Sequence, residues 1–330
     1  MASWLLLSGL SSEAQSSMQD LGPAKASRWG KGFFDRTLGG TPPVLIRYPP
    51  PIKFPFSNQL CAFLPEWLRL TSDRWVLNTI SQGYTLQFTY SPPNHPCPHF
   101  PWGTPRMKLC SSRRRGQLLG LGAIEVVPGE FMGKGCYSHY FLIPKAKEGL
   151  RPMLDLQGLN QYMVKLKFCM VSLASSIPFL DPGDWNSALD LQDAYFHIHI
   201  FKGHRCFLHF VVGQNHYQFM VLPFGLSTAP RVFTKCMPVV AAYLRRRGAQ
   251  IFPYLDDWLV KGTSQSQVRD HVALLLSTCT ILGLLVNSTN STLVLVQGIE
   301  FIGALLDAVL ARASLPPDRF KTLGMSTLRN

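Results

Sequence analysis

Close cysteine pairs, long apolar runs and acidic residues are all scarce in this sequence. Eight cysteines are present, at positions 61, 97, 110, 136, 169, 206, 236 and 279, yet no two stand at C-x-x-C spacing. Zinc ribbons and redox dithiols are built from close pairs, and disulfide scaffolds belong to small secreted chains, so these thiols read as reduced and intracellular. No apolar run approaches the roughly 18 residues that a membrane span needs. The opening MASWLLLSGL lacks the basic region and long apolar core of an export signal, so the Asn287 and Asn290 sequons read as coincidental. Acids number 19 against 32 Lys+Arg, a formal charge of +13. That excess favours a polyanionic partner, with nucleic acid the leading candidate.

What is abundant is apolar: 46% of the 330 residues are hydrophobic, including 21 Phe, 10 Tyr and 7 Trp. This excludes a disordered tail and supplies a core for one large domain or two ordinary ones. Residues 1–57 form an irregular Gly/Pro/Ser-rich leader, because stacked prolines such as those in TPPVLIRYPPPIKFPF remove backbone donors. Residues 58–112 read as an N-terminal extension, with a helix pair in 64–80 and a Pro-rich linker at 91–105. From 113 onward strands and helices alternate, and no internal repeat is visible.

Strands are predicted at 137–147 and 149–160, and at 186–191 with 193–200 continuing from it. A hairpin turns at Gly213-Gln214-Asn215. Pro230 opens a helix with Phe233, Met237, Val240 and Leu244 on one face, a kink or break at Pro238, and Gly248 as C-cap. Residues 249–262 form two strands around a polar tip, 272–282 an amphipathic helix, and 299–315 a closing hairpin. The order predicts an α+β fold with a mostly antiparallel sheet.

The tip Tyr254-Leu255-Asp256-Asp257 places two acids between apolar strands. Adjacent carboxylates repel, and a divalent ion relieves the repulsion, Mg²⁺ preferring carboxylate oxygens and leaving positions for phosphate. An ordinary acidic turn is the alternative. Asp190 ends a second strand, three residues before Asp193. If Asp190 faces Asp256, the two can bridge a pair of metals roughly 3.5–4 Å apart. Asp193 can instead cap the following turn. Five histidines at 197, 199, 204, 209 and 216 read as sheet-surface residues, and the arginines at 113–115 either as a solvated charge run or as a basic loop that would suit a duplex.

LDLQDAYFHI (189–198), LPFGLSTAPRVF (222–233) and FPYLDDW (252–258) occur in the order and spacing of the reverse transcriptases. YFLIPKAKEGLRPMLDLQGLN (140–160) resembles the fingers motif of that family, and IEFIGALLD (299–307) its primer-grip hairpin. The phrases look closest to the polymerases of DIRS-like retrotransposons. The resemblance implies a right-hand polymerase: fingers and palm over 113–304, with palm at about 183–202 and 222–304, and a thumb only begun at 305–330.

It implies catalytic, metal-binding carboxylates at Asp190, Asp256 and Asp257, holding two Mg²⁺ ions for which Mn²⁺ can substitute. Tyr195 matches the steric gate against a ribose 2′-hydroxyl, and the backbone amides around Asp193 and Ala194 match those that hold the triphosphate. Phe224 and Gly225 match the lining of the nucleotide pocket, and Lys145 and Arg151 the fingers clamp on the incoming nucleotide. The implied partners are an RNA template, a DNA or RNA primer duplex and dNTPs, in the cytoplasm or nucleus, with no membrane. Two departures stand out: Asn290 where the family has a lysine, and Gln157 where the fingers motif has Arg. These keep two alternatives in view, a catalytically impaired relic that still binds nucleic acid, and a fragment of a polyprotein whose activity is ribonuclease H.

Overall fold

The computed structural model describes residues 54–93, 105–144, 150–168 and 181–315. The expectations for most of the 1–57 leader, for the heart of the Pro-rich linker, for Lys145 and for 316–330 lie outside the described residues. The chain begins with α1 (Leu64–Leu70) and α2 (Arg74–Gln82), the expected helix pair. Asp73 caps α2, its side chain accepting from the Trp75 and Val76 N–H groups. The helix α3 (Pro105–Gly120) follows, so Arg113–Arg115 ride on a helix and not on a loop. The Arg115 guanidinium lies 5.5 Å from the Tyr217 ring centroid.

Next come β1 (Ile124–Val126), β2 (His139–Pro144), β3 (Leu150–Asp155) and α4 (Gln157–Tyr162). The strand expected over 149–160 therefore stops at Asp155, whose carboxylate accepts from the Gln157 N–H at the start of α4. Then β4 (Trp185–Asp190), β5 (His209–Val212) and β6 (Asn215–Phe219) are formed. The strand does not continue through 193–200. Asp193 is left-handed at φ 46° and Ala194–His197 wind into a 3-10 turn, which breaks an alternating pattern that would otherwise read as extended.

The long helix α5 (Ala229–Arg245) carries Pro230 in its first turn, where a missing N–H costs nothing. It runs through Pro238 without interruption and stops at Arg245, with Arg246 and not Gly248 at the C-cap position; Gly248, at φ +85°, closes the turn that follows. Arg245, in its last turn, donates from Nε and Nη2 to the Ile251 carbonyl at 3.0 and 2.6 Å. After it come β7 (Gln250–Tyr254), β8 (Asp257–Gly262), α6 (Gln265–Ile281) and β9 (Thr292–Val296). Last are β10 (Gly298–Phe301), β11 (Ala304–Asp307) and β12 (Arg312–Ser314). The closing hairpin thus gains a third strand.

The site rests on the antiparallel sheet β7-β8-β4-β9. Strand alternation gives it two apolar faces. Leu189 and its cross-strand partner Trp258 enter the main core with Phe233, Val240, Val272 and Leu276 of α5 and α6. Ala188 and its partner Leu259 turn the other way, against Ile299, Phe301 and Leu306 of the small β10-β11-β12 sheet. Asn186, Ala188 and Asp190 share that second face, because side chains two apart on a strand point alike. Two further sheets, β1-β6-β5 and β2-β3, are built from segments before β4 and between β4 and α5. The apolar cluster that includes Tyr140, Leu154, Phe210 and Phe219 joins them to the main core.

Candidate active site

Two strand ends bring the predicted acids together. Asp190 is the cross-strand partner of Asp257 in the β4–β8 register. The Asp190 N–H donates to Ser291 Oγ at 3.0 Å and its carbonyl accepts from the Asn287 N–H at 2.8 Å, both on the β9 side. Asp190 and Asp257 therefore form a non-hydrogen-bonded pair, the kind in which opposite Cα atoms approach to about 4.5 Å and side chains come nearest. One residue on, the Leu191 N–H donates to the Asp256 carbonyl at 2.8 Å, tying the acidic tip to β4. Like charges directly opposite one another destabilise a sheet, so this end of the sheet suits a cation.

The tip is a two-residue turn between β7 and β8, with φ +50° at Leu255 and none at Asp256. That sign pattern belongs to a type II′ turn, which ordinarily places glycine where Leu255 stands. Holding a leucine there costs on the order of 1–2 kcal/mol. Trp258, fully buried, donates from Nε1 to the Leu255 carbonyl at 3.2 Å and secures the strained turn from beneath.

Aromatic rings pack beside the acids. Tyr195 lies 5.1 Å from Phe224 and 5.9 Å from Phe233, centroid to centroid. Burial pushes the Tyr195 phenol above its usual range; nearby Asp256 adds to the rise, and Arg151 opposes it. The Arg151 guanidinium sits 4.8 Å from the Phe224 centroid. Arg151, Phe224, Tyr195 and Asp256 thus converge, although they come from four separate stretches of chain. Tyr254 is likewise raised, by burial and then by Asp256 and Asp257.

Gly225 is positioned by close approach. At φ +106°, a Cβ there would meet the Leu154 carbonyl oxygen of β3 at 2.1 Å, so only glycine fits. Phe224 offers its carbonyl to the Leu154 N–H at 3.2 Å. Asp193 and Ala194 sit at the mouth of the 3-10 turn. Lys145 lies outside the described residues.

Several supports were not foreseen. Asn160 clamps the Gly225–Ser227 loop: its Nδ2 donates to the Gly225 carbonyl and its Oδ1 accepts from the Ser227 N–H, each at 2.9 Å. His197, expected at a sheet surface, is fully buried, and His199 and His209 are also buried. His197 Nε2 accepts from the Leu285 N–H at 2.9 Å, which leaves Nδ1 to donate to the Ala194 carbonyl at 3.1 Å. The ring is the neutral Nδ1–H tautomer, and burial lowers its pKa to about 4. It ties the turn after Asp190 to the segment leading into β9. Ser291 has the same kind of role, bonding to Asp190 and donating to the Asn287 carbonyl at 2.7 Å. Trp258, Asn160 and His197 all lie within the quoted phrases, which held a signal for them; nothing local marks Ser291.

Among the described residues no group of three or more His, Cys, Asp or Glu side chains forms a ready-made metal cage. The donor set is hard carboxylate oxygen on facing strand ends. This fits an ion such as Mg²⁺, which takes one or two protein carboxylates and completes its shell with water and substrate phosphate. None of the helices among the described residues is long and apolar enough to cross a membrane.

A family model described as reverse transcriptase (RNA-dependent DNA polymerase) matches residues 143–326, more than half of the chain. Among curated proteins, the retrovirus-related Pol polyprotein from transposon 412 of Drosophila melanogaster is 27% identical over 148 residues, which is 43% of this chain and 12% of that protein. The transposon Tf2-3 polyprotein of Schizosaccharomyces pombe is 26% identical over 161 residues, 49% of this chain and 12% of that one. The chain therefore spans about an eighth of the curated relatives it matches. Among solved structures, a foamy viral protease-reverse transcriptase in complex with double-stranded DNA aligns at TM-score 0.58 and 14% identity. The alignment covers 86% of this chain and 51% of that one. The expected polymerase fold, helices with antiparallel sheets, is the fold observed.

Proposed function

Because this chain belongs to the reverse transcriptase (RNA-dependent DNA polymerase) family, we propose that it is the RNA-directed DNA polymerase part of a retrotransposon polyprotein of DIRS-like type. It would extend a primer 3′-hydroxyl with deoxynucleotides on an RNA template, inside the cell. The observation that carries this reading is the facing pair Asp190–Asp257, with Asp256 in the turn between β7 and β8 and within electrostatic reach of Tyr195.

In this reading the palm holds β4 and β7–β9, the fingers hold β2 and β3, and 305–330 begins the thumb. Reverse transcriptases use divalent metal ions, and Asp190, Asp256 and Asp257 would hold two Mg²⁺, or Mn²⁺ in their place. Bound there, the ions supply activation of the 3′-hydroxyl and neutralisation of the leaving pyrophosphate. The chain's own residues orient the reactants. Arg151, its guanidinium over the Phe224 ring, presents a fork of donors to the triphosphate, and Lys145 would be the second residue of the clamp. The amides around Asp193 and Ala194 hold the same phosphates. Tyr195, wedged between Phe224 and Phe233, fills the space of a 2′-hydroxyl and so selects deoxyribose, while Phe224 and Gly225 line the pocket. Asn290 supplies no ammonium proton to pyrophosphate, which predicts slow turnover.

The test is metal-dependent primer extension on a primed RNA template. Asp256→Asn should abolish dNTP incorporation, and equal extension by parent and variant would refute the assignment. Tyr195→Ala should admit ribonucleotides; unchanged sugar selectivity would remove the gate role.

A further inference from the structure

The strand β9 does not stay in step with β4 to its end. Ala188 is paired with Thr292, while Leu191 is bridged to Val286. Three steps along β4, from 188 to 191, are thus matched by six along the other segment, from 292 back to 286. The surplus residues form a bulge in which Ser288, Thr289 and Asn290 are exposed. Continued in step, the β9 register would set Asn290 opposite Asp190. The chain turns back on itself there instead. The Asn290 and Ser291 N–H groups both donate to the Asn287 carbonyl, at 3.2 and 3.0 Å, and Asn287 Oδ1 accepts from the Asn290 N–H at 3.3 Å.

The bulge falls opposite Asp190. In an antiparallel strand the N–H and carbonyl of one residue point to the same side, and those of Asp190 point away from β8, toward the bulge. The carbonyl meets a backbone donor, the Asn287 N–H at 2.8 Å. The Asp190 N–H meets a side chain, Ser291 Oγ at 3.0 Å, where an unbroken ladder would have offered a carbonyl. Ser291 Oγ spends its own proton on the Asn287 carbonyl at 2.7 Å, which leaves its lone pairs for the Asp190 N–H. One hydroxyl thus stands in for a missing strand residue.

That substitution matters because of what lies on the other side of Asp190. Its carboxylate and that of its cross-strand partner Asp257 repel, and the backbone groups of Asp190 are not turned toward β8 to resist the repulsion. The strand end is steadied from the bulge side. We propose that Ser291 is a positioning residue for the cation site, its hydroxyl pinning the Asp190 backbone so that both carboxylates stay within reach of one ion. The role rests on the metal-binding reading of Asp190 given above.

The test compares two hydroxyls that join the same strands. Ser187 Oγ donates to the Thr292 carbonyl at 2.8 Å, a bond of the same kind that lies further from the acids. In the full chain, at constant ionic strength, the Mg²⁺ concentration needed for a fixed rise in melting temperature should be about tenfold higher in Ser291→Ala than in the parent. Ser187→Ala should lower the melting temperature and leave that concentration unchanged. Ser291→Thr keeps a hydroxyl and should respond like the parent. Without metal, exchange of the Asp190 amide should quicken in Ser291→Ala and not in Ser187→Ala. A Mg²⁺ response in Ser291→Ala equal to that of the parent would overturn the positioning role and leave the metal site standing. No response in the parent would overturn the metal reading, and this role with it, so the two failures are distinguishable.

Discussion

At one end of the β4–β8 pair, Lys261 Nζ meets Asp184 Oδ2 at 2.6 Å and Asp181 Oδ2 at 3.0 Å, with Lys261 and Asp184 only 4% and 2% exposed. At the other end Asp190 faces Asp257, and both are partly open to solvent. The two sites share strands and sheet face, since 257, 259 and 261 alternate with the residues of β8 that enter the main core. Opposite charges matched and sealed away serve the fold. Like charges set opposite each other at an open edge beside a strained turn add no stability to the sheet, and they fit the ligand role proposed for them. The comparison separates what stabilises this sheet from what the sheet is for.

Breaking the buried pair should give the largest effect on stability. Lys261→Met strands the Asp184 carboxylate in the interior and should cost roughly 3–5 kcal/mol, read as a fall in the urea midpoint. Adding Asp184→Leu should recover most of that loss. The exposed Asp181 contact should contribute little by itself. A single-variant loss near zero would show that the buried pair does not lock the sheet.

Acid should sharpen the contrast by weakening the carboxylate end. His197 and His199 are both lowered to about 4, by burial above all, from an ordinary value near 6.5. The unfolded chain takes up these protons first as pH falls, so their contribution is whole above about 6.5 and is lost progressively toward pH 4. Stability should therefore be lower at pH 5 than at pH 7.5. Amide exchange should accelerate around Ala194–Ile200 before it does in the middle of β8. Uniform loss of protection across both would contradict the role given to His197.

Much of this was legible in the sequence, for stated reasons. The helices α5 and α6 and the β7–β8 hairpin announce themselves through apolar periodicity and a polar tip, and the acids through their flanking phrases. The continuation through 193–200 misled because DAYFHIHI alternates like a strand, an alternation that outweighed the turn reading of Asp193; the turn forms directly after it. Buried histidines alternate with apolar residues just as surface ones do. What seals them is contact across the chain: His197 with Leu285, 88 residues away. Asn160 and Ser291 escaped for the same reason, reaching Gly225 and Asp190 over 65 and 101 residues.

The smallest expected effect lies at the turn itself. Trp258→Phe removes the indole bond to the Leu255 carbonyl and should lower stability by about 1–2 kcal/mol. It should slow primer extension more than it weakens duplex binding, because it loosens Asp256 without touching the basic surface. An equal loss in both would place Trp258 in the core only.

The central claim is that the facing acids are poised for a divalent cation, and the melting temperature of the full chain with and without Mg²⁺, at constant ionic strength, tests it directly. The parent should be stabilised by Mg²⁺; Asp190→Asn should start at an equal or higher melting temperature and gain nothing. If parent and variant respond to Mg²⁺ identically, the acids at this strand end do not form a metal site.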